Sequence, residues 1–521
     1  MPLTPSKEDT PSSGATAAPP LAAIAEAVCG RLRPDPVRAT IRRLRLVDTV
    51  DRRLLGKGWQ LLASPTDDGE HWRLSTAGGR FRAEATLHGP APAFADDLPD
   101  GALRDRLASV SGIRALHPGP WITLEEQRCA LRDGKAKIRC RLVAQTAEIE
   151  SSGARCSTVR VIALKGYEAE AARVADRIAS RFGWDADAPD PLAELADAAH
   201  PPPMGAEFPP VTDLAEPAGH ALRPVMRALL DTVDQRGRGV IADIDSEELH
   251  ELRVAVRRSR SILTLLKAEE AELEFARGFF KWLGKVTGRT RDLDVHMLAW
   301  RAHRRASAPG ADAELEPLGR YLAAERAEAQ AALVRTLRSR RFRSGLARWR
   351  RALDTGGEVW NEAPAMRPPI GELAGRRIRK LYRRALAEGS AITPDSPAET
   401  LHALRKTMKK LRYVFEIVRD GYPRKPTRAV LRVLKELQQV LGDVQDMEVQ
   451  ADALRRFGQE LGGRGAAGPG TLMAIGAWAE DLEIGRRQAR DRFAEVFEPF
   501  ARGRFGDRLR ALTRAGSRST A

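Results

Sequence analysis

Two stretches decide the fold: HELRVAVRRSRSIL, residues 250–263, and HALRKTMKKLRYVF, residues 402–415. They align without gaps. His250, Arg253, Arg257, Arg258 and Arg260 stand opposite His402, Arg405, Lys409, Lys410 and Arg412, each pair 152 positions apart. A second block follows at almost the same spacing. GKVTGRTRDLDV (284–295) aligns with QQVLGDVQDMEV (438–449) at 154 positions, matching Gly288 with Gly442, Asp292 with Asp446 and Asp294 with Glu448. Two blocks in the same order at nearly one spacing mark an internal duplication.

Helix geometry gives the duplication chemical content. At about 100° per residue, His250, Arg253, Arg257 and Arg260 fall in a stripe roughly 80° wide. Leu252, Val256 and Leu263 lie on the other side, where they can pack into a core. His402, Arg405, Lys409 and Arg412 repeat the arrangement. Like charges at i,i+3 and i,i+4 each cost a few tenths of a kcal/mol. A helix with only a structural role would more readily interleave glutamates, and here the acids (Glu247, Glu248, Glu251 and Glu269) lie at the ends of the stripe. A histidine facing the same anion would have its pKa raised, strengthening binding at mildly acidic pH.

Composition sets the frame. The 521 residues are too many for one core and imply two to four domains. Lys and Arg number 86 against 70 Asp and Glu, a formal net charge of +16, which favours acidic partners. Cys29, Cys129, Cys140 and Cys156 form no CxxC pair and suit a reducing cytosol. The opening MPLTPSKEDTPSSGATAAPP lacks the pattern of a secretory signal, and no apolar run reaches membrane-spanning length. A soluble cytoplasmic protein is expected.

Along the chain, residues 1–20 read as a disordered tail and 21–184 as a mixed α+β domain. Alternation in 137–143 and 157–162 predicts strands, and Glu168–Phe182 predicts a helix. The Pro-, Ala- and Asp-rich stretch 185–215 reads as a linker. From 216 to 505 the Ala/Leu/Arg/Glu-rich pattern predicts an all-α domain of two repeats, about 216–355 and 370–505, related by a pseudo-twofold axis. Residues 506–521 read as a tail.

The two histidine-headed helices, each followed by an RDLDV-like block, resemble the CHAD family (conserved histidine α-helical domain) over about 216–505. That resemblance implies two pseudo-symmetric helical bundles that bind inorganic polyphosphate in a central basic groove. It implies as phosphate contacts His250, Arg253, Arg257, Arg258, Arg260, His402, Arg405, Lys406, Lys409, Lys410 and Arg412. The second repeat places Lys where the first has Arg at two stripe positions, keeping charge but losing the bidentate fork.

The N-terminal region resembles a CYTH domain, the triphosphate-tunnel fold. The likeness rests on VDTVDRRLLGKGWQLL (47–62), WRLSTAGGRFRAEA (72–85) and IALKGYEAEAARVADRI (162–178). The family's metal-holding ExExK strand is absent, and Lys135, Lys137, Arg139 and Arg141 stand where later acids are expected. Phosphoryl transfer needs metal to neutralise developing charge, which makes this a degenerate member. Arg73, Lys137, Arg139 and Arg141 remain as phosphate-binding candidates.

Binding without catalysis follows, with inorganic polyphosphate as partner, no cofactor, no catalytic residue and no metal ligand. Polyphosphate granules are the expected destination within the cytoplasm. The alternatives are a metal-dependent tri- or polyphosphatase working through the N-terminal domain, or a nucleic-acid- or granule-associated scaffold. Aromatic residues make up only 5% of the chain, which argues against base stacking and hence against a specific nucleic-acid partner. Two further motifs fail. Gly284-Lys285 is no Walker loop, because Gly278 is one residue too far away and Val286 replaces Ser or Thr. Asp292, Asp294, His296 and His303 could be drawn as a metal site, but charge pairs that orient the basic helices explain the duplicated acids better. The basic runs 333–351 and Arg376–Arg384 either extend a groove or are simply solvated. Oligomeric state and chain-length preference are left open.

Overall fold

The computed structural model describes residues 2–5, 20–185, 190–199, 208–266, 270–306, 313–354, 360 and 363–518. The chain divides into two compact units, Met1–Pro203 and Met204–Ala521.

The first unit is built on one antiparallel sheet. Its main strands are β1 (Pro2–Pro5), β2 (Arg38–Asp48), β3 (Trp59–Thr66), β4 (Gly69–Thr76), β5 (Phe81–His88), β6 (Ile122–Arg132), β7 (Ile138–Ile149) and β8 (Arg155–Ala163). The pairing order is β1-β8-β7-β6-β2-β3-β4-β5, with three two-residue strands added at the margins. Among the described residues, three helices longer than one turn accompany it: α1 (Leu21–Val28), α2 (Ala102–Ser111) and α3 (Glu168–Phe182).

Strict alternation on β6 and β7 decides what each face carries. One face presents Cys129, Leu131, Leu142, Val159 and Val161 to α1 and α3, whose Ile24, Val28, Val174 and Ile178 complete a core. The other presents Leu44, Leu46, Ile122, Leu124 and Ile149 to Leu192 and Leu195, which sit on two one-turn helices. Trp72, fully buried with Leu61, Leu74 and Leu107, anchors the far end, and one such side chain is worth roughly 3 kcal/mol of burial. Helix α3 spans the expected residues and stops at Gly183, whose φ of 66° an L side chain would resist. This antiparallel sheet fits the CYTH-like fold that the resemblance implied.

Two stretches differ from their expected character. The tail expected over 1–20 contains β1, which pairs with β8 through Pro2–Arg160 and Leu3–Val159; residues 6–19 lie outside the described residues. The linker expected over 185–215 contains the one-turn helices Pro191–Glu194 and Ala196–Ala199, while 186–189 and 200–207 lie outside the described residues.

The second unit is all-helical: α4 (Ala218–Ala242), α5 (Ser246–Leu266), α6 (Ala271–Val286), α7 (Gly288–Ala306), α8 (Glu316–Leu337), α9 (Arg340–Asp354), α10 (Ile370–Ser390), α11 (Ala398–Val418), α12 (Arg424–Gly463), α13 (Pro469–Asp491), α14 (Phe493–Ala501) and α15 (Gly503–Arg518). The repeat is visible in its backbone. Pro217 and Pro369, 152 positions apart, form an antiparallel bridge just ahead of α4 and α10. Ala218 N–H donates to the Pro368 carbonyl and Ile370 N–H to the Glu216 carbonyl, both at 2.9 Å. Gly219 donates to Met366 and Gly371 to Leu214, again partners at the same spacing. A self-complementary set of this kind is what a twofold axis produces. Gly219 is required there, since a Cβ on it would lie 1.8 Å from the Trp360 carbonyl oxygen.

Each repeat lays its histidine-headed helix on the one before it, and both halves share one continuous core that includes Leu222, Leu252, Ile262, Phe280, Leu404, Phe415 and Leu434. In the first repeat the chain breaks at Thr287 between α6 and α7, whereas α12 runs unbroken for 40 residues. A second, smaller core joins α7 and α8 to the far half of α12 and to α13 through Trp300, Leu318, Leu454, Phe457 and Trp478. The expected tail 506–521 differs as well: residues 503–518 are α15, held by buried Phe505, Leu509 and Leu512 at helical spacing. Among the described residues no helix is long and apolar enough to cross a membrane.

Candidate functional site

The first basic helix is fixed at its start by Asp245, whose carboxylate accepts from the N–H groups of Glu247 and Glu248 at 2.9 and 3.2 Å. Its apolar face, Leu249, Leu252, Val256, Ile262 and Leu263, is buried. That orientation leaves His250, Arg253 and Arg257 half-buried and Arg260 exposed. On α11 the burial of Leu401, Leu404, Met408, Leu411 and Phe415 likewise leaves His402, Arg405, Lys409 and Arg412 half-buried, with Lys406 and Lys410 exposed.

Equivalent arginines meet equivalent glycines, on α7 in the first repeat and on α12 in the second. A Cβ built on Gly288 would lie 4.0 Å from an Arg253 Nη, and one built on Gly442 would lie 4.0 Å from an Arg405 Nη. The repeated glycines therefore form the platforms on which the repeated guanidiniums lie. One step along, Arg260 lies against Gly284, while Arg412 donates to the side chain of Gln438, the residue aligned with Gly284, at 2.9 Å.

The two stripes are partnered differently. Arg253 donates to the Gly284 carbonyl at 3.1 Å and to Thr287 Oγ1 at 2.9 Å, bracing the α6–α7 joint. Arg258 is drawn onto the ring of Phe208, 4.7 Å from its centroid. Arg257 and Arg260 have no ion pair among the described residues. On α11, by contrast, Arg405 pairs with Asp446 at 2.7 Å, Arg412 with Glu416 at 2.6 Å, and the His402 ring nitrogen Nδ1 meets the Gln445 side-chain oxygen Oε1. The Nε atoms of Arg257 and Arg405 are shielded from solvent and find no hydrogen-bond partner among the described residues.

The electrostatics show like charges held together. Burial first, then the charges of Arg405 and Arg257, push Lys409 down to about 8, with Asp446 opposing. Arg257 belongs to the other repeat, so the stripes are close enough to feel each other. His250 is pushed down to about 4, by burial first and then by Arg291, Arg257 and Arg253. Without an anion beside it, His250 is thus held below its ordinary value by burial and then by its cationic neighbours. Burial also lowers Arg253.

The repeated acids take up separate duties. Asp294 is buried and accepts from Arg326 at 3.0 Å, and Arg326 also forks onto Asp243. Asp292 is exposed and acts on Arg253 and Arg291 through charge alone. His296 meets Phe457 edge-on and His303 stacks on Trp478, both in the smaller core. Among the described residues no three His, Cys, Asp or Glu side chains cluster closely enough to hold a metal.

Much of the other basic surface is already engaged. Arg348 pairs with Glu272 and lies over Phe275, Arg350 pairs with Asp231, and Arg341 lies over Trp282. Arg376 and Arg384 pair with Glu372 and Glu388, and Arg379 donates to the Thr513 carbonyl. In the first unit Arg139 pairs with Asp133 and lies over Tyr167, Arg73 lies over Phe81, and Lys137 and Arg141 are exposed. Sequence reasoning missed buried Glu126, which accepts from Arg128 and Gln145 at 2.7 Å on the sheet. It also missed the pairing of Arg412 with Gln438 and of His402 with Gln445. The match of 284–295 with 438–449 was the available signal for the two glutamine contacts.

Residues 224–455 match the CHAD domain family. A crystal structure of the CHAD domain from the plant Ricinus communis is similar at a TM-score of 0.41 and 22% identity, covering 60% of this chain and 96% of that one. PptA from Streptomyces chartreusis is similar at a TM-score of 0.42 and 18% identity, covering 54% of this chain and 100% of that one. No curated protein matches the chain. From its family match and its duplicated histidine-headed helices, this chain carries a CHAD domain over residues 224–455.

Proposed function

We propose that the CHAD domain binds inorganic polyphosphate between α5 and α11 and holds the polymer without cutting it. The observation that carries this reading is the placement of Arg257 and Lys409, equivalent residues of the two repeats, near enough to depress the lysine. Burial is the largest cause of the fall from 10.5 to about 8, and the crowding by Arg405 and then Arg257 adds to it. Side chains on an ordinary solvated surface would relieve that crowding by turning outward. A polyanion lying along both stripes would offset it, which is the chemistry the CHAD resemblance associates with the family.

In this reading His250, Arg253, Arg257, Arg258, Arg260, His402, Arg405, Lys406, Lys409, Lys410 and Arg412 contact phosphate. The arginines supply paired donors and the lysines supply point charges. Bound phosphate would also raise His250 from its depressed value. The protein would reside in the cytoplasm and on polyphosphate granules.

The test is equilibrium binding of long-chain polyphosphate by the wild type and by a variant with Arg253, Arg257, Arg405 and Lys409 changed to Ala. Because Arg253 also braces the α6–α7 joint, the Arg257→Ala/Lys409→Ala double variant runs beside it, with helicity followed by circular dichroism. Loss of binding with helicity kept is expected. Retained affinity in both variants would move the site elsewhere. Displacement of the polymer by duplex DNA at equal phosphate concentration would overturn the stated selectivity.

A further inference from the structure

We infer that Asp446 is a built-in competitor, a carboxylate that holds Arg405 where a phosphate would and so lowers the affinity of every anion that must reach this arginine. The inference rests on the binding role proposed above and adds to it a residue that tunes affinity. Arg405 donates from Nη2 to Asp446 Oδ1 at 2.7 Å. The arginine side chain is 17% exposed and the aspartate 68% exposed, so the guanidinium is fixed while the carboxylate is free to swing into water. A carboxylate presents to a guanidinium the same oxygen geometry as a phosphate, which makes exchange of one for the other direct.

The other repeat supplies the contrast. Asp292 is aligned with Asp446, yet Arg253 gives its hydrogen bonds to the Gly284 carbonyl and Thr287 Oγ1 instead. Arg257 and Arg260 carry no ion pair among the described residues, whereas Arg412 is held by Glu416 and Gln438. The halves are therefore unequal. On α5, Arg257 and Arg260 are free of acids among the described residues, whereas on α11 an incoming anion must first win Arg405 and Arg412 from resident acids, and only the lysines there carry no ion pair among the described residues. A polymer seated on Arg257 and Arg260 brings its next phosphates to Arg405 at high local concentration, while an isolated orthophosphate has no such hold.

Titration calorimetry with tripolyphosphate and with long-chain polyphosphate on the full-length wild type, Asp446→Asn and Asp292→Asn tests this. Exposed ion pairs of this kind set the scale, so Asp446→Asn should tighten both ligands by about three-fold. Asp292→Asn removes the same unit of charge and should give a distinctly smaller gain. Equal gains in the two variants would reduce the effect to net charge and overturn the inference. Weaker binding by Asp446→Asn would also overturn it, making Asp446 a support for Arg405 rather than its competitor. If the wild type binds neither ligand, the proposed function itself falls and takes this inference with it.

Discussion

Arg257 and Lys409 occupy the same place in the two repeats, and the structure sets them so that the guanidinium of one helps to discharge the ammonium of the other. Burial is the larger cause, and Arg405 adds to it. Two helices that were only solvated would have no reason to hold equivalent cations within reach of each other's charge.

The pairing makes polyphosphate affinity depend on alkaline pH. Lys409 titrates near 8 in the folded protein, and a bound anion would return it toward its ordinary value, so binding takes up a proton above that pH. Affinity should be level between about pH 7 and 8 and fall above that, by up to about tenfold per unit. Lys409→Arg should remove the slope, because arginine stays charged throughout. Titrations from pH 7 to 9.5 at constant ionic strength decide this. A wild-type affinity that stays level to pH 9.5 would sink the assignment.

The arginines of α5 should separate by role. Arg253 braces Gly284 and Thr287, so Arg253→Ala should lower both affinity and melting temperature, the latter by the equivalent of about 1–2 kcal/mol for the lost charged hydrogen bonds. Arg260, exposed and with no ion pair among the described residues, should lower affinity alone. Each lost phosphate contact should also reduce the slope of log K against log salt by about one. Equal melting temperatures for the two variants would deny Arg253 its bracing role.

What was legible in the sequence was whatever depends on period and repetition. The spacing of Leu252, Val256 and Leu263 fixed which side of α5 is buried, and the matched blocks located α11 and the start of the second repeat. Partners brought in from far along the chain were not legible. Phe208 draws off Arg258, Gln438 takes up Arg412, and Arg257 depresses Lys409 across 152 positions. Composition misled at the C-terminus, where the small polar residues of RAGSRSTA obscured the Phe505, Leu509, Leu512 stripe that makes α15 a packed helix. At β1, pairing with β8 gives a Pro-containing segment a strand that its own residues do not announce.

The glycine platforms can be tested by size. A Cβ on Gly442 would sit at ordinary contact distance, 4.0 Å from Arg405 Nη2, so Gly442→Ala should keep polyphosphate binding. Inside the continuous α12 it should also stabilise by about 0.5–1 kcal/mol through helix propensity. Gly442→Leu should push the guanidinium off its platform and weaken binding about tenfold at unchanged helicity, a loss comparable to one charged contact. Undiminished affinity in the leucine variant would show that Arg405 does not need its present position.

His296 should make the second unit sensitive to acid. It lies between α7 and α12 against Phe457, where burial first and then Arg456 push it down to about 4. The unfolded chain takes up this proton near pH 6.5, the folded one only near 4. Stability from this group is therefore complete above pH 6.5 and lost as pH falls from 6.5 to 4, by up to roughly 3 kcal/mol. His250 adds a similar loss in the same window. His296→Gln removes the titration while keeping a polar side chain of similar reach. Its melting temperature should fall less steeply than that of the wild type between pH 6.5 and 4.5. Parallel curves for the two proteins would mean that His296 takes up its proton in the folded state without cost.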